Sequence, residues 1–299
     1  MAEAPGKAET FVFKTVDGVH VSLDVYPAST ARTPVLMSIH GGGLVAGSRR
    51  DIAGSDGTGL LRQLCTEAGF THVSVDYRLA PETRLPGILE DIEDAWAWIH
   101  RDLPSLYDVD VDRSAVIGRS AGGLLALLSG IRLDPRPNAV VSLYGYGDLL
   151  AAWCHQPDPH YNRQAAVDEA AARRIADAGP ATESTPEAPR FPLYLYLRQQ
   201  GTWAREITGM DPSRDYARLA EVCPVRNIDG EFPPTLLLHG TADTDVPYYA
   251  SVEMAHALSV RGLSGTLISI PDADHLFDRP VTRADLESRS PSAAAAALK

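Results

Sequence analysis

A serine stands between glycines at a point where a nucleophile would be exposed. Gly-Arg-Ser-Ala-Gly at 118–122 follows the apolar run 114–117 and precedes an apolar helical pattern over 124–128. A tight turn from strand to helix pushes a serine hydroxyl out of the backbone, and the flanking glycines let neighbouring segments approach. The pattern therefore predicts a nucleophile elbow at Ser120. The alternative role for this serine is an ordinary helix N-cap.

Partners for such a serine follow later in the chain. The strand-like run 234–238 leads into a loop with Asp243 and Asp245, and the run 265–270 is followed within a few residues by His275. A serine is a poor nucleophile at its free pKa, so it needs a base to take its proton, and an acid must orient that base. The order serine, acid, histidine is the order found in α/β-hydrolases. The residues alone leave both acids open.

A glycine-rich loop lies upstream of the serine. The buried-strand pattern 34–39 runs into His-Gly-Gly-Gly at 40–43. Backbone N–H groups of such a loop can turn toward the oxyanion that develops when a carbonyl is attacked. The stretch 41–47 also loosely fits a dinucleotide fingerprint, but 48–54 opens no helix to cap a pyrophosphate, so no nucleotide site is expected.

With these motifs the chain resembles the hormone-sensitive-lipase-like carboxylesterases, the α/β-hydrolase fold-3 group. Besides the glycine loop and the elbow it carries Asp-Tyr-Arg-Leu-Ala-Pro-Glu at 76–82, a run typical of that group. The resemblance covers about residues 9–146 and 232–287. It implies an α/β-hydrolase fold: a mostly parallel twisted sheet with helices on both faces and an inserted helical cap.

The resemblance also implies roles for single residues. The family acid lies three residues after the glycine of the His-Gly pair, which favours Asp243 over Asp245. The implied catalytic triad is Ser120, Asp243 and His275. The implied oxyanion donors are the backbone N–H groups of Gly42, Gly43 and Ala121. The expected substrate contacts are Leu44, Tyr194 and Trp203. The expected reaction is hydrolysis of a small to medium acyl ester through an acyl-enzyme, with no metal and no cofactor.

The bond that is cleaved stays open, because fold and triad do not fix the leaving group. Among enzymes the alternatives are an amidase, lactonase, formamidase or short-peptide hydrolase. The alternative of another class is a ligand-binding receptor on a hydrolase scaffold. Such receptors tend to lose the catalytic histidine, whereas His275 is in place.

Arg119 departs from the family pattern, which usually has Asp or Glu before the serine. Its guanidinium either binds an anionic part of the substrate or pairs with an acid such as one of those at 91–94. The side chain before an elbow serine usually points away from the reacting face. The structural pairing is therefore predicted.

The elements that must position these residues alternate along the chain. Apolar and polar side chains alternate along residues 10–15 and 19–26, on either side of an Asp-Gly turn, and this pattern predicts an antiparallel hairpin at a sheet edge. Continuous apolar runs predict parallel strands covered on both faces, at 71–75, 114–117, 139–143, 234–238 and 265–270. Apolar positions between 88 and 99 predict a helix. The alternation of strands and helices is interrupted at 148–231. This segment is the predicted cap, and residues 1–147 and 232–299 form the predicted catalytic core.

Two histidines are predicted to be structural, and one stretch with metal-capable side chains is predicted not to bind a metal. His40 and His239 each end a strand and are predicted to brace their own loops. Cys154, His155 and His160 do not match the spacing of a structural zinc site, so no metal is expected.

Composition limits the partners. The chain has 299 residues, 44% of them hydrophobic, and a net charge of −12, which disfavours nucleic acid and anionic membranes as partners. The three cysteines are widely spaced and are expected to be reduced. Residues 1–7 lack a signal-peptide pattern, so a cytoplasmic location is expected. The expected partner is a small-molecule ester, and the protein is expected to be a monomer or a homodimer.

Overall fold

The computed structural model describes residues 8–50 and 59–278. Their strands are β1 (Glu9–Val16), β2 (Val19–Tyr26), β3 (Thr33–Ile39), β4 (Thr71–Val75), β5 (Val109–Arg119), β6 (Ala139–Leu143), β7 (Thr235–Gly240) and β8 (Gly265–Ile270). They form one eight-stranded sheet in the order β1-β2-β4-β3-β5-β6-β7-β8. The pairs β1–β2 and β2–β4 are antiparallel and the other pairs are parallel. The predicted fold class, with its hairpin at the sheet edge, is confirmed.

The strand bounds follow the apolar runs closely, with one informative exception. β2, β4, β6 and β8 begin and end where the sequence predicts. The expectation that β8 is covered on both faces is wrong: its residues are exposed or half-buried, because β8 is the last strand of the sheet among the described residues. β5 begins at Val109, five residues before the predicted start, and its first five residues are at least partly exposed. A continuous apolar run marks only the part of a strand that is covered on both faces. The exposed start of β5 therefore carries no such signal.

The helices are α1 (Gly59–Glu67), α2 (Leu85–Arg101), α3 (Leu103–Leu106), α4 (Ala121–Arg132), α5 (Glu169–Ala176), α6 (Phe191–Gln200), α7 (Trp203–Thr208), α8 (Tyr216–Glu221), α9 (Pro224–Asn227) and α10 (Tyr249–Val260). Successive residues of β3 face opposite sides of the sheet. Val35 and Met37 belong to the larger apolar core, whereas Leu36 belongs to a smaller one with Cys65 of α1. Helices thus cover both faces of the sheet.

Helices α5 to α9 occupy the predicted cap between β6 and β7. The helix expected near 164–178 is α5, which begins where the Asp168 carboxylate accepts a hydrogen bond from the Ala171 N–H. The aromatic stretch forms α6, which ends at Gly201 with φ of 67°. The division into core and cap stays a prediction.

Two predicted segments are not covered by the structure. The leader 1–7 and the end of the predicted core beyond residue 278 lie outside the described residues. Among the helices that the structure describes, none has the length and apolar character needed to cross a bilayer.

Candidate active site

Ser120 lies on a strained turn between β5 and α4. Its φ of 54° and ψ of −118° fall outside the helical and strand regions, a conformation that a non-glycine residue rarely adopts. A Cβ at Gly118 would lie 1.9 Å from the Gly122 carbonyl oxygen, and a Cβ at Gly122 would lie 2.2 Å from the Ile39 carbonyl oxygen. Only glycine fits at these two positions. The Ser120 side chain makes no capping hydrogen bond, contrary to the N-cap alternative.

The predicted triad residues lie within hydrogen-bond distance of one another. The Ser120 Oγ lies 3.1 Å from His275 Nε2, and His275 Nδ1 lies 2.7 Å from Asp243 Oδ2. The three residues follow the carboxyl ends of β5, β8 and β7, which meet at one edge of the sheet. A proton can therefore pass from the hydroxyl to an imidazole that a carboxylate orients.

The Asp243 carboxylate is held in its ionised form. Its Oδ1 accepts hydrogen bonds from the backbone N–H groups of Asp245 and Val246, at 2.9 and 2.8 Å. Burial raises the pKa of Asp243, but hydrogen bonds from His239 and His275 outweigh burial and hold this pKa well below its ordinary range. A carboxylate at this place orients the base and stabilises the imidazolium that forms during the reaction.

His239 braces its loop and also reaches the acid. Its Nε2 lies 3.0 Å from the Val246 carbonyl oxygen and 3.2 Å from Asp243 Oδ2, so this nitrogen carries a proton. Its Nδ1 then accepts a hydrogen bond from the Ser251 hydroxyl at 2.7 Å. Sequence analysis predicts only the loop contact. The contact with Asp243 makes His239 part of the support of the triad.

The charge around His275 favours its protonated form. Burial lowers the pKa of His275, but the hydrogen bond to Asp243 and the negative charges of Asp245, Asp243 and Asp274 raise it above its ordinary value. The Asp274 carboxylate accepts hydrogen bonds from the His275 N–H at 2.7 Å and from the Thr244 N–H at 2.8 Å. Asp274 thereby ties the histidine loop to the acid loop.

The glycine loop after β3 has a backbone that only glycine adopts easily. Gly42 and Gly43 have φ of 98° and 64°, and a Cβ at Gly42 would lie 2.1 Å from the Ala46 carbonyl oxygen. Within 8–50 and 59–278, no hydrogen bond uses the N–H of Gly42, Gly43 or Ala121 as donor. Gly42, Gly43 and Ser120 line the same cavity. The loop with Gly42 and Gly43 thus borders the cavity that Ser120 lines, whereas Ala121 is buried and does not line it.

A cavity of about 400 Å³ lies over the triad. Its core side includes Gly42, Gly43, Ser120 and His275. Its cap side includes His160, Tyr161, Phe191 and Tyr194. Phe191 is 52% exposed, which places it at the mouth. The cap residues therefore border the space in which a substrate contacts the serine.

The three expected substrate contacts lie in different surroundings. Tyr194 lines the cavity, but Leu44 and Trp203 do not. Leu44 has φ of 62° and is fully buried, because the loop turns its side chain into the core. Trp203 is 1% exposed, and its Nε1–H donates a hydrogen bond to the Gly43 carbonyl oxygen at 2.8 Å. Trp203 supports the glycine loop instead of contacting a substrate.

Arg119 pairs with an acid, as predicted, but with a different acid from those expected. Its Nη2 lies 2.6 Å from Asp278 Oδ2, and the Tyr144 hydroxyl donates to Asp278 Oδ1 at 2.7 Å. The expected partner Asp91 binds Arg78 instead, with Nη2 2.8 Å from Oδ1. Asp278 lies three residues after His275, so the pair fastens the histidine loop to the elbow.

We expect Arg119→Gln to lower the free energy of unfolding by about 2–4 kcal/mol, because it leaves the partly buried Asp278 carboxylate without its ion-pair partner. The ratio of kcat/KM for neutral and anionic esters should change little, since the guanidinium is committed to Asp278. Chemical denaturation and paired ester assays measure the two effects. Arg132→Gln, which breaks an exposed ion pair with Glu93, is the matched control. A selective loss on anionic esters with unchanged stability would contradict the structural role.

Asp245 and Arg198 form a buried connection between the cap and the triad. Arg198 of α6 is 2% exposed and pairs with Asp158 and with Asp245, whose Oδ1 lies 2.6 Å from Nη1. The Tyr194 hydroxyl donates to the same Oδ1 at 2.8 Å. The guanidinium also lies 5.2–5.8 Å from four aromatic ring centres, at Trp153, Tyr161, Tyr194 and Trp203. Sequence reasoning missed Arg198, although a lone arginine in an aromatic stretch is a usable signal.

The cysteines and the stretch with Cys154 have structural contacts. Cys65, Cys154 and Cys223 are buried free thiols. His155 Nε2 lies 2.7 Å from the Leu149 carbonyl oxygen. Within the described ranges there is no group of three or more His, Cys, Asp or Glu side chains that could hold a metal ion.

Comparison with known proteins relates the chain to a family and to two groups of proteins. The family model BD-FAE matches residues 23–258. The chain is 30% identical over 310 residues to the non-reducing polyketide synthase ascC of Acremonium egyptiacum, with 91% of the chain and 14% of that protein covered. The chain thus spans about one seventh of the length of this curated relative.

Solved structures show the same fold. An α/β-hydrolase superfamily protein from Enterococcus faecalis has a TM-score of 0.72 at 22% identity, over 94% of this chain and 95% of that chain. A thermophilic esterase from Thermogutta terrifontis has a TM-score of 0.65 at 19% identity, over 97% of this chain and 91% of that chain. At these identities the likeness establishes the fold.

Proposed function

The chain belongs to the BD-FAE family, an α/β-hydrolase-like family, and from this membership and the site geometry we propose that it is a serine carboxylesterase. Membership agrees with the resemblance to the hormone-sensitive-lipase-like carboxylesterases that the motifs predict. The observation that carries the proposal is the hydrogen-bonded chain from Ser120 through His275 to Asp243. Such a series of hydrogen bonds is the arrangement that activates a serine hydroxyl.

In the first half of the proposed reaction, Ser120 Oγ attacks the ester carbonyl carbon and His275 Nε2 takes the hydroxyl proton. The carbonyl oxygen becomes an oxyanion, and the N–H groups of Gly42, Gly43 and Ala121 stabilise it. Each such donor is worth about 3–4 kcal/mol in the transition state. Collapse of the tetrahedral intermediate breaks the bond to the alcohol oxygen, which receives the proton from Nε2. The acyl group stays on Ser120.

In the second half, water attacks the acyl carbon and gives a proton to His275 Nε2. The bond between the acyl carbon and Ser120 Oγ then breaks, and Oγ recovers the proton. A carboxylic acid leaves. Asp243 keeps the imidazole in the correct tautomer throughout, because Nδ1–H donates to its carboxylate. No redox change occurs, and the residues supply every proton transfer without a cofactor.

The cavity limits the substrate. A volume of about 400 Å³ suits a small to medium acyl ester, and the ring of Tyr194 and the exposed ring of Phe191 offer apolar contact. The acids Asp245 and Asp274 also border it, which disfavours anionic substrates. The proposed substrate is therefore an uncharged ester.

A second candidate is an acyl thioester hydrolase. The curated relative is a polyketide synthase, and a polyketide is an acyl chain. The same triad cleaves an acyl thioester by the same two steps, with a thiol in place of the alcohol as leaving group. This candidate changes the leaving group and leaves the roles of the residues unchanged.

The test is hydrolysis of p-nitrophenyl acetate, butyrate and hexanoate, beside the N-acetylcysteamine thioester and the p-nitroanilide of the same acyl groups. We expect turnover of the esters and covalent labelling of Ser120 by a fluorophosphonate, found by peptide mass mapping. Faster turnover of the thioesters would favour the second candidate. Faster turnover of the anilides would favour an amidase. Neither turnover nor labelling would contradict a hydrolase and favour a ligand-binding receptor.

A further inference from the structure

A second carboxylate lies on the reacting side of the catalytic histidine. Asp245 Oδ2 is 3.5 Å from His275 Nε2, the nitrogen that also faces Ser120 Oγ. The orienting acid Asp243 occupies the opposite nitrogen, Nδ1. Asp245 therefore does not orient the ring. It borders the cavity at the place where protons enter and leave Nε2.

The two oxygens of Asp245 have different surroundings. Oδ1 accepts hydrogen bonds from the Arg198 guanidinium at 2.6 Å and from the Tyr194 hydroxyl at 2.8 Å. Arg198 also donates to the Asp245 carbonyl oxygen at 3.1 Å. These donors fix the carboxylate plane, and the fixed plane presents Oδ2 to Nε2. The position of Oδ2 is thus set by a buried network and not by a mobile surface side chain.

A water that attacks the acyl-enzyme has two hydrogens to place. One must point at Nε2, which takes it as the proton. The second O–H loses its hydrogen bond to bulk water when the molecule enters the cavity, unless the cavity offers it an acceptor. Oδ2 is a charged acceptor 3.5 Å from Nε2, so a water that binds at Nε2 from the cavity comes within hydrogen-bond reach of Oδ2 as well.

Resting on the esterase function proposed above, we propose that Asp245 positions the hydrolytic water by accepting its second O–H while His275 accepts the first. The water oxygen forms a bond to the acyl carbon, the proton goes to Nε2, and the bond to Ser120 Oγ then breaks. Asp245 gains and loses no proton. Asp245 also raises the pKa of His275 through its charge in both halves of the reaction, whereas its contact with the hydrolytic water acts only in the second half.

Methanol separates this role from a structural one. Methanol also attacks an acyl-enzyme, and it gives its single O–H to Nε2. Its methyl group stands where the second hydrogen of water would be, so it gains nothing from Asp245. The ratio of methyl ester to free acid formed from one acyl-enzyme therefore reports the contact between water and Asp245. Loosening of the site slows both products and leaves the ratio unchanged.

The experiment uses p-nitrophenyl butyrate in buffer with a fixed share of methanol, with both products measured by chromatography. In Asp245→Asn, Arg198 and Tyr194 hold the amide oxygen, so the amide NH2 faces Nε2 and offers water a donor instead of an acceptor. We expect the ratio of methyl butyrate to butyrate to rise about tenfold to a hundredfold, the worth of a hydrogen bond to a charged group. A burst of p-nitrophenolate close to one per site should appear as deacylation becomes slow.

Asp158→Asn is the matched control, because it removes the other carboxylate that pairs with Arg198 and lies outside the cavity lining. Its ratio should equal that of the wild type. Should Asp245→Asn fail to fold, Asp245→Glu keeps the charge for Arg198, displaces the oxygen by one methylene and should also raise the ratio. An unchanged ratio in a folded Asp245 variant overturns the proposal. A wild-type protein that releases no p-nitrophenolate overturns the esterase function instead, and this proposal with it.

Discussion

Replacement of Ser120 by alanine should lower kcat for ester hydrolysis by about 10⁴–10⁶-fold, since a triad without its nucleophile retains only substrate binding and oxyanion stabilisation. The fold should persist, because the Ser120 side chain makes no capping hydrogen bond and its N–H still donates to the Leu143 carbonyl oxygen. Turnover of p-nitrophenyl acetate measures the loss. Circular dichroism and thermal unfolding show whether the fold is retained.

The control for this result is a double variant, in which the effects of losing Ser120 and His275 should not add. His275→Ala should lower kcat nearly as far, and the double variant should be no worse than either single one, because the two groups act as one unit. Fluorophosphonate labelling should vanish in Ser120→Ala. Turnover above about one hundredth of the wild-type rate, with contaminating esterase excluded, would show that Ser120 is not the nucleophile.

The second large effect separates the two acids. Asp243→Asn should lower kcat by about 10⁴-fold, because its amide cannot satisfy the N–H donors on both oxygens and leaves the imidazole in the wrong tautomer. Asp245→Asn should lower steady-state hydrolysis by about a hundredfold at most, since the change removes one hydrogen bond to water. Both are measured as kcat for p-nitrophenyl butyrate. The reverse ranking would assign the orienting role to Asp245, despite the 2.7 Å contact of Asp243 with Nδ1.

The sequence is informative where local pattern and chemistry coincide. Runs of apolar and β-branched residues mark β4, β6 and β8, whose bounds are predicted to the residue, but only β4 is buried along its whole length, and β8 has no buried residue in the described structure. The elbow is predictable because only glycine fits at positions 118 and 122. The glycine loop is predictable because positions 42 and 43 have positive φ values, which favour glycine. The triad residues each follow a predicted strand. Parallel strands bring those ends together at one edge of the sheet, so the strand pattern alone places the triad residues near one another.

The failures concern contacts between segments that are distant in sequence. Nothing near Arg119 indicates that its partner is Asp278, because the pairing depends on how the histidine loop returns to the elbow. Leu44 stands beside the oxyanion glycines, and only its φ of 62° reveals that it turns inward. Trp203 was expected in the pocket because it is aromatic, yet an aromatic side chain in a cap serves equally well as packing core.

The two contacts that the cap makes with the catalytic loops bear on how such a protein can diversify. Arg198 hydrogen-bonds Asp245, and Trp203 donates to the Gly43 carbonyl oxygen, so two side chains of the predicted cap support loops of the proposed active site. The insertion is therefore not an exchangeable module: a cap grafted from another enzyme would have to supply both contacts anew. Phe191 and His160, which border the cavity without such duties in the described network, are the positions at which substrate range is free to drift.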